Sequence, residues 1–145
     1  MTVRHILSSK AAHDILTIKP DASVSEAARV LSENRIGALI VSKDGASLDG
    51  MLSERDIVRE LGKRGTECLD DPVSALMTAK VVTAKPDDVT VQALSKMTEG
   101  RFRHLPVMED GNLIGVISIG DVVAFRIKEI EHENQNLTDM IVGHG

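Results

Sequence analysis

The chain has 145 residues, 42% of them hydrophobic, with 17 Lys and Arg against 22 Asp and Glu, and it contains two Phe but neither Trp nor Tyr. That length suits one compact domain or two small associated ones, and the apolar fraction is enough for a core of Val, Ile, Leu, Met and Ala. A net charge of -5 and 1% aromatic residues provide neither the basic footprint nor the stacking platforms of a nucleic-acid-binding protein.

Val3-Arg4-His5-Ile6-Leu7 reads as a short apolar helix. Thr17 then opens an extended piece that Pro20 ends. Ser23-Val24-Ser25-Glu26 has the Ser-x-x-Glu spacing in which side chains satisfy the free N–H groups of a starting helix. That helix is expected to run to about Asn34, with Val24, Ala27, Ala28 and Leu31 on its buried face and Arg29 and Glu33 on the wet one. Ala38 to Val41 and Gly50 to Leu52 read as a hairpin around an Asp44-Gly45 turn. A second helix starts after Ser53, carries Ile57, Val58 and Leu61, and stops near Gly62 to Gly65. The link from Cys68 to Thr78 again supplies a short apolar helix, ahead of the extended piece at Thr83.

From Thr83 the chain repeats the same unit. Thr17-Ile18-Lys19-Pro20-Asp21 returns as Thr83-Ala84-Lys85-Pro86-Asp87, and the same displacement carries Arg35 to Arg101, Leu39 to Leu105 and Asp44-Gly45 to Asp110-Gly111. Beyond that turn the displacement is one residue shorter, so Gly50, Ser53 and Asp56 meet Gly115, Ser118 and Asp121. Each unit is strand, helix, strand, strand, helix. Val89 stands where Ser23 caps the first unit, so Asp88 or Thr90 is expected to cap instead. A unit of about 60 residues buries too little surface alone, and the two are expected to share an interface. From Val123 onward, Ile127, Ile130, Asn134, Leu137 and Ile141 alternate spacings of three and four, a heptad seam with one polar insertion. Such a stripe either packs on its own module or pairs with another chain.

Catalytic constellations are not recognisable. There is no GxGxxG, and where Gly115 and Gly120 imitate the glycine spacing of a phosphate loop, Asp121 replaces the needed Lys. His5, His13, His104, His132 and His144 form neither HExxH nor a Cys/His cluster, so no metal site is expected. The lone Cys68 excludes an internal disulfide and fits a reducing, cytoplasmic setting, and the start Met1-Thr2-Val3-Arg4-His5 lacks the apolar stretch of a signal peptide. The longest apolar run, Ile36 to Val41, is too short to span a membrane.

The feature that recurs is Gly50-Met51-Leu52-Ser53-Glu54-Arg55-Asp56 against Gly115-Val116-Ile117-Ser118-Ile119-Gly120-Asp121. A Gly-x-x-Ser-x-x-Asp pattern delivers a Ser to a helix start, where free N–H groups and the dipole favour anionic or oxygen-rich ligands. The Asp one turn on can accept two hydrogen bonds from a vicinal diol such as ribose. The same residues can equally serve as helix caps and nothing more.

With its paired Lys-Pro-Asp starts, its Arg103-His104-Leu105-Pro106-Val107 strand and both Gly-x-x-Ser-x-x-Asp endings, the chain resembles a stand-alone pair of cystathionine-beta-synthase-type (CBS) domains, over roughly Ile15 to Lys63 and Val81 to Arg126. The resemblance implies an α/β fold of two β-α-β-β-α repeats packed sheet to sheet with pseudo-twofold symmetry. It divides the chain into an N-terminal helical segment (1–14), a first repeat (15–66), a linker with a short helix (67–80), a second repeat (81–128) and a C-terminal helix (129–145). It implies a non-catalytic sensor with AMP, ADP or ATP in clefts between the repeats, NADH or S-adenosylmethionine being further adenosyl ligands. Thr17, Ser53 and Asp56 would line one cleft and Thr83, Ser118 and Asp121 the other, each Asp holding ribose. Backbone around Ala38 to Val41 and around His104, Pro106 and Val107 would hold adenine.

Phosphates call for cations, which Arg55, Arg101, Arg103 and His104 can supply, Arg through its bidentate fork. Arg101 and Arg103 can also be solvated strand-entry charges, and His104 a satisfied core-edge residue. Arg55 is matched by Gly120, Gly37 by Arg103 and Ala38 by His104, so the two clefts are expected to differ in affinity. The expected partners are an adenosine-containing small molecule, a second copy in a homodimer, and a regulated protein, with neither nucleic acid nor membrane. A ligand-independent dimerisation module is the alternative.

Overall fold

The structure, a computed structural model, describes residues 2–9 and 15–143, and the side chains at 138, 139 and 141–143 lie outside that description. His13, His144, the Ile141 side chain of the seam and positions 10–14 of the N-terminal segment therefore lie outside the described residues.

In chain order the elements are α1 (Val3–Ser9), β1 (Thr17–Ile18), α2 (Val24–Asn34), β2 (Ala38–Val41), β3 (Gly50–Ser53), α3 (Glu54–Arg64), a 3-10 turn (Gly65–Asp70), α4 (Val73–Leu76), α5 (Thr90–Gly100), β4 (His104–Glu109), β5 (Asn112–Ser118) and α6 (Ile119–Gly143). The fold is α/β, as the repeat pattern predicts. The chain forms two compact units. One gathers the described residues of Met1–His13 with Val82–Glu109 and those of Ile114–Gly145; the other holds Asp14–Val81 and Asp110–Leu113.

The unit holding the first repeat is built on a three-stranded sheet of order β1-β2-β3. β1 runs parallel to β2, with Thr17 opposite Ile40, and β3 runs antiparallel to it, with Ala38 opposite Ser53 and Leu39 opposite Leu52. The predicted Ser23 cap is present: its hydroxyl accepts from the Glu26 N–H at 3.1 Å. Val24, Ala27 and Leu31 on α2 and Ile57 on α3 join Leu39, Val41 and Leu52 of the sheet in one buried cluster. α3 ends at Gly65, whose φ of 70° is readily adopted only without a Cβ.

In the other unit β4 and β5 form a two-stranded sheet, joined through Asp110-Gly111, where φ is 53° and 80°. Two successive positive φ values are the backbone of the tight hairpin turns whose twist matches that of paired strands. The counterpart of β1 is reduced to a single parallel bridge, Ala84 to Val107. The start of α5 departs from the expectation for Asp88 or Thr90. Its N-cap is Val89, and the Val89 N–H donates to Gln92 Oε1 at 2.9 Å. Asp88 instead closes the preceding turn, accepting from the Lys85 N–H at 2.9 Å.

The two short apolar helices change places. α1 precedes the first repeat but packs on the second, and α4 precedes the second but packs on the first. Val3 N–H donates to Asp88 O at 2.8 Å and Arg4 N–H to Pro86 O at 2.9 Å. In matching positions, Val73 N–H donates to Ala22 O at 2.7 Å and Ser74 N–H to Pro20 O at 2.9 Å. Val3 and Ile6 are buried with Leu105, Val107, Ile117 and Val122, while Val73 is buried with the first-repeat core.

Candidate functional site

Both Gly-x-x-Ser-x-x-Asp segments form the expected strand-to-helix junction. At the first, Ser53 is the N-cap of α3. The Asp56 N–H donates to Ser53 Oγ at 3.3 Å, and Asp56 Oδ2 accepts the Ser53 N–H at 2.9 Å and the Ser53 hydroxyl at 3.0 Å. At the second, Asp121 Oδ2 accepts the Ser118 N–H at 2.8 Å, and the Asp121 N–H donates to Ser118 Oγ at 3.1 Å. The capping role is thus real at both. It engages only Oδ2 of Asp56; Oδ1 of Asp56 faces Arg59 Nη1 at 3.7 Å. An ion pair of that length on a residue as exposed as Arg59 contributes little and is readily exchanged for another donor.

The glycine of the pattern has a packing reason. A Cβ on Gly50 would lie 2.6 Å from Met77 Sδ and 2.9 Å from Thr78 O, and one on Gly115 would lie 2.6 Å from Leu7 Cδ2. The strand must be bare there because the residues that follow α4, Met77 and Thr78, press against β3, and Leu7 of α1 presses against β5. Further along, the Glu54 N–H donates to Gly37 O at 2.9 Å and the Ile119 N–H to Arg103 O at 2.8 Å. These matched bonds tie each helix start to the entry of the neighbouring strand.

The fold therefore gathers the candidates in two sets. Thr17, Ala38, Val41, Ser53, Arg55 and Asp56 share the first unit's sheet and the start of α3, with Ser53 paired to Ala38 and Thr17 one strand further across. Thr83, Arg101, Arg103, His104, Pro106, Val107, Ser118 and Asp121 belong to the other unit. Arg55, Arg101 and Arg103 are exposed, whereas His104, Ser118 and Asp121 are half-buried. Arg101 takes a left-handed conformation, φ 56°, as the C-cap of α5, as Arg35 does at φ 53° after α2. Val41 and Val107 are buried core residues, so their side chains serve the cores and only backbone is left to offer a ligand. The Val41 backbone lies in β2, between β1 and β3, and its carbonyl accepts from the Asp49 N–H at 2.9 Å. Pro106 O accepts from Ala84 N–H at 2.8 Å.

Two residues escaped the sequence reading. Lys96 Nζ donates to Thr83 O at 3.0 Å and to Asp88 Oδ2 at 2.9 Å, bracing the segment that presents Thr83. Burial pushes the Asp88 carboxyl pKa up, but the Lys85 N–H and the Lys96 ammonium outweigh it and hold the pKa below the usual carboxylate range. Nothing in the sequence separation of Lys96 and Thr83 announces this contact. Arg59, by contrast, was within reach of inspection, since it lies one helical turn after Asp56 on the same face.

A groove of about 470 Å³ lies between α2 and α3, lined by Leu31, Arg35, Ile36, Glu54, Ile57 and Val58 among others. It contains none of the candidate residues.

The CBS domain family model matches residues 3–63 and 73–128. The chain belongs to that family. A mitochondrial CBS domain-containing protein of Arabidopsis thaliana is 34% identical over 149 residues, covering 98% of this chain and 72% of the relative. Other plant CBS relatives are much longer, and the chain spans about a quarter of their length. Among solved structures, a CBS-domain-containing protein from Agrobacterium tumefaciens is 41% identical with a TM-score of 0.83, over 87% of this chain and 99% of its own. A CBS domain protein from Pyrobaculum aerophilum, complexed with AMP, is 27% identical with a TM-score of 0.71, over 83% of this chain and 89% of its own. Both CBS repeats keep the Ser and Asp of the junction, and no described helix is long and apolar enough to cross a membrane.

Proposed function

We propose that this CBS protein, with its repeats at 15–66 and 81–128, is a non-catalytic regulatory module that binds an adenosine-containing ligand. The observation that carries the reading is the duplicated Ser and Asp at a strand-to-helix junction, Ser53 with Asp56 and Ser118 with Asp121. Each places a carboxylate and a helix N-terminus where a ribose diol and an anionic group could be held together. The AMP complex of the Pyrobaculum relative supports the class of ligand.

In this reading Thr17 or Thr83 flanks the ribose, and Arg55, Arg101, Arg103 and His104 meet phosphate. Adenine lies against the backbone near Ala38 and Val41 in one set and near Pro106 and Val107 in the other. AMP, ADP or ATP is the leading ligand, with NADH and S-adenosylmethionine as alternatives. The protein acts as a homodimer, and binding alters its contact with a regulated protein. A ligand does this only through different affinities for two states. The buried lone Cys68 is in keeping with a cytoplasmic setting. Calorimetric titration of the folded protein with AMP, ADP, ATP, NADH and S-adenosylmethionine is the test. Heat from at least one, saturating at one or two sites, is expected, and silence from all five would overturn the reading.

A second reading, an assembly module that needs no ligand, is favoured by the uncovered seam of α6.

A further inference from the structure

α6 carries two apolar faces. Val122 is fully buried in the core cluster, with Ile119 and Phe125 packed against it, and these turn the first part of the helix toward its own unit. Val123, Ile127, Ile130 and Leu137 point elsewhere and are 41%, 51%, 41% and 57% exposed. Every described side chain from 131 to 137 is exposed, so the helix continues past the body of its unit. A stripe that packed on its own module would be covered; this one is not. These four residues fall on the a and d positions of one heptad register: Val123 at d, Ile127 at a, Ile130 at d and Leu137 at d, with Asn134 and, in sequence, Ile141 at the remaining a positions; Met140, 67% exposed, falls at g beside the seam.

We propose that α6 pairs in parallel with α6 of a second copy of this chain, as a two-stranded coiled coil centred on Asn134. This deepens the homodimer reading and rests on it. Ile127 at a with Leu137 at d suits two strands, whereas Ile130 at d favours more, and Asn134 at a decides for a parallel dimer in register, because each Asn then finds its twin across the seam. In an antiparallel pair Asn134 would face an apolar d residue and its amide would lose its partner. The flanking charges agree: Arg126 occupies g and Glu131 the following e, which meet as opposite charges across a parallel pair. Among the described residues, Arg126 makes a loose contact within its own helix, 4.0 Å to Glu129.

Sedimentation of the full chain over a wide concentration range, with circular dichroism to confirm folding, tests the pairing. A dimer is expected, weakened by about 10,000-fold in Ile127→Asp/Ile130→Asp, since each of the two buried aliphatics lost contributes close to a factor of ten in each of the two copies. Glu131→Lys should weaken it several-fold, and Arg126→Glu/Glu131→Lys should restore it, a recovery that general damage to the helix would not produce. Leu137→Cys should form a disulfide-linked dimer under mild oxidation, while the parent, whose Cys68 is fully buried, should not. A parent that stays monomeric overturns both this pairing and the homodimer reading. A dimer unaffected by Ile127→Asp/Ile130→Asp overturns the pairing and leaves the homodimer reading standing. Seam-dependent dimers that Leu137→Cys fails to cross-link overturn the parallel register.

Discussion

One oxygen of Asp56, Oδ2, holds both the backbone N–H and the hydroxyl of Ser53, at 2.9 and 3.0 Å. The cap and the proposed ribose contact thus fall on different oxygens of one carboxylate, and the two roles can be separated. Asp56→Asn keeps an acceptor oxygen for Ser53 but leaves no second one for a diol. It should melt within a few degrees of the parent while losing roughly 10- to 100-fold in nucleotide affinity at one site, the worth of a hydrogen bond to a charged group. Asp56→Ala should lose the affinity and about 1 kcal/mol of stability as well. Calorimetry and thermal denaturation of the two variants, with Asp121→Asn as the counterpart in the second repeat, give the comparison. Equal stoichiometry and affinity in all of them would refute the ribose assignment.

The two repeats differ most simply at Arg55 and Gly120. A Cβ on Gly120 would meet only Ser118 Oγ, at 3.6 Å, so the position accepts a side chain. Gly120→Ala should therefore stabilise α6 by about 0.5–1 kcal/mol, the helix penalty of glycine. Gly120→Arg should narrow the difference between the two sites by raising the affinity of the second for a di- or triphosphate more than for a nucleoside. A nucleoside that gains as much as a triphosphate would mean that Arg in this position does not meet phosphate.

At Gly50 and Gly115 the outcome should be the opposite. A methyl at Gly50 strikes backbone, Thr78 O at 2.9 Å, besides Met77, whereas at Gly115 it meets Leu7 alone. Gly50→Ala should cost about 1–3 kcal/mol, the usual cost of overpacking. Gly115→Ala should cost less, because the Leu7 side chain can turn aside. Leu7→Ala should relieve much of the Gly115→Ala penalty in a double-mutant cycle; strict additivity would show that α1 does not press on β5 in solution.

Acid should loosen the second repeat through Asp88. A carboxyl whose pKa is lowered by folding contributes stability that is complete above its unfolded value, near 3.8, and is lost as pH falls through the lower folded value. Asp88→Asn should be less stable than the parent at pH 7 and should lose less on going to pH 3. Lys96→Met should behave similarly, because it removes one of the contacts that hold the Asp88 pKa down. Melting temperatures across that range decide it, and an undiminished acid loss in both variants would assign the effect to other carboxylates. Asp44 titrates in the same direction, its pKa lowered by the N–H groups of Ser47 and Ala46 in the hairpin loop, so a remaining acid dependence is expected even in the Asp88 variant.

Features that depend on near neighbours along the chain were legible from residue order. The Ser23 cap, the end of α3 at Gly65, the Asp110-Gly111 turn and the Ser53 and Asp56 junction are all set by residues a few positions apart, and duplication made them stand out. The heptad seam was visible for the same reason. Local pattern was insufficient at Val89, where the cap came from Gln92 rather than from the polar residues beside it, and in the second repeat, where the first strand shrank to one bridge at Ala84.

Which repeat each short helix completes is settled in three dimensions alone, since an apolar helix carries no address. The bare strand faces at Gly50 and Gly115 admit Met77 and Thr78, just past α4, and Leu7 of α1, a complementarity between segments distant in sequence. The contact of Lys96 with Thr83 and the exposure of the α6 stripe belong to the same class. Each depends on what else the fold brings nearby, which no spacing along the chain records.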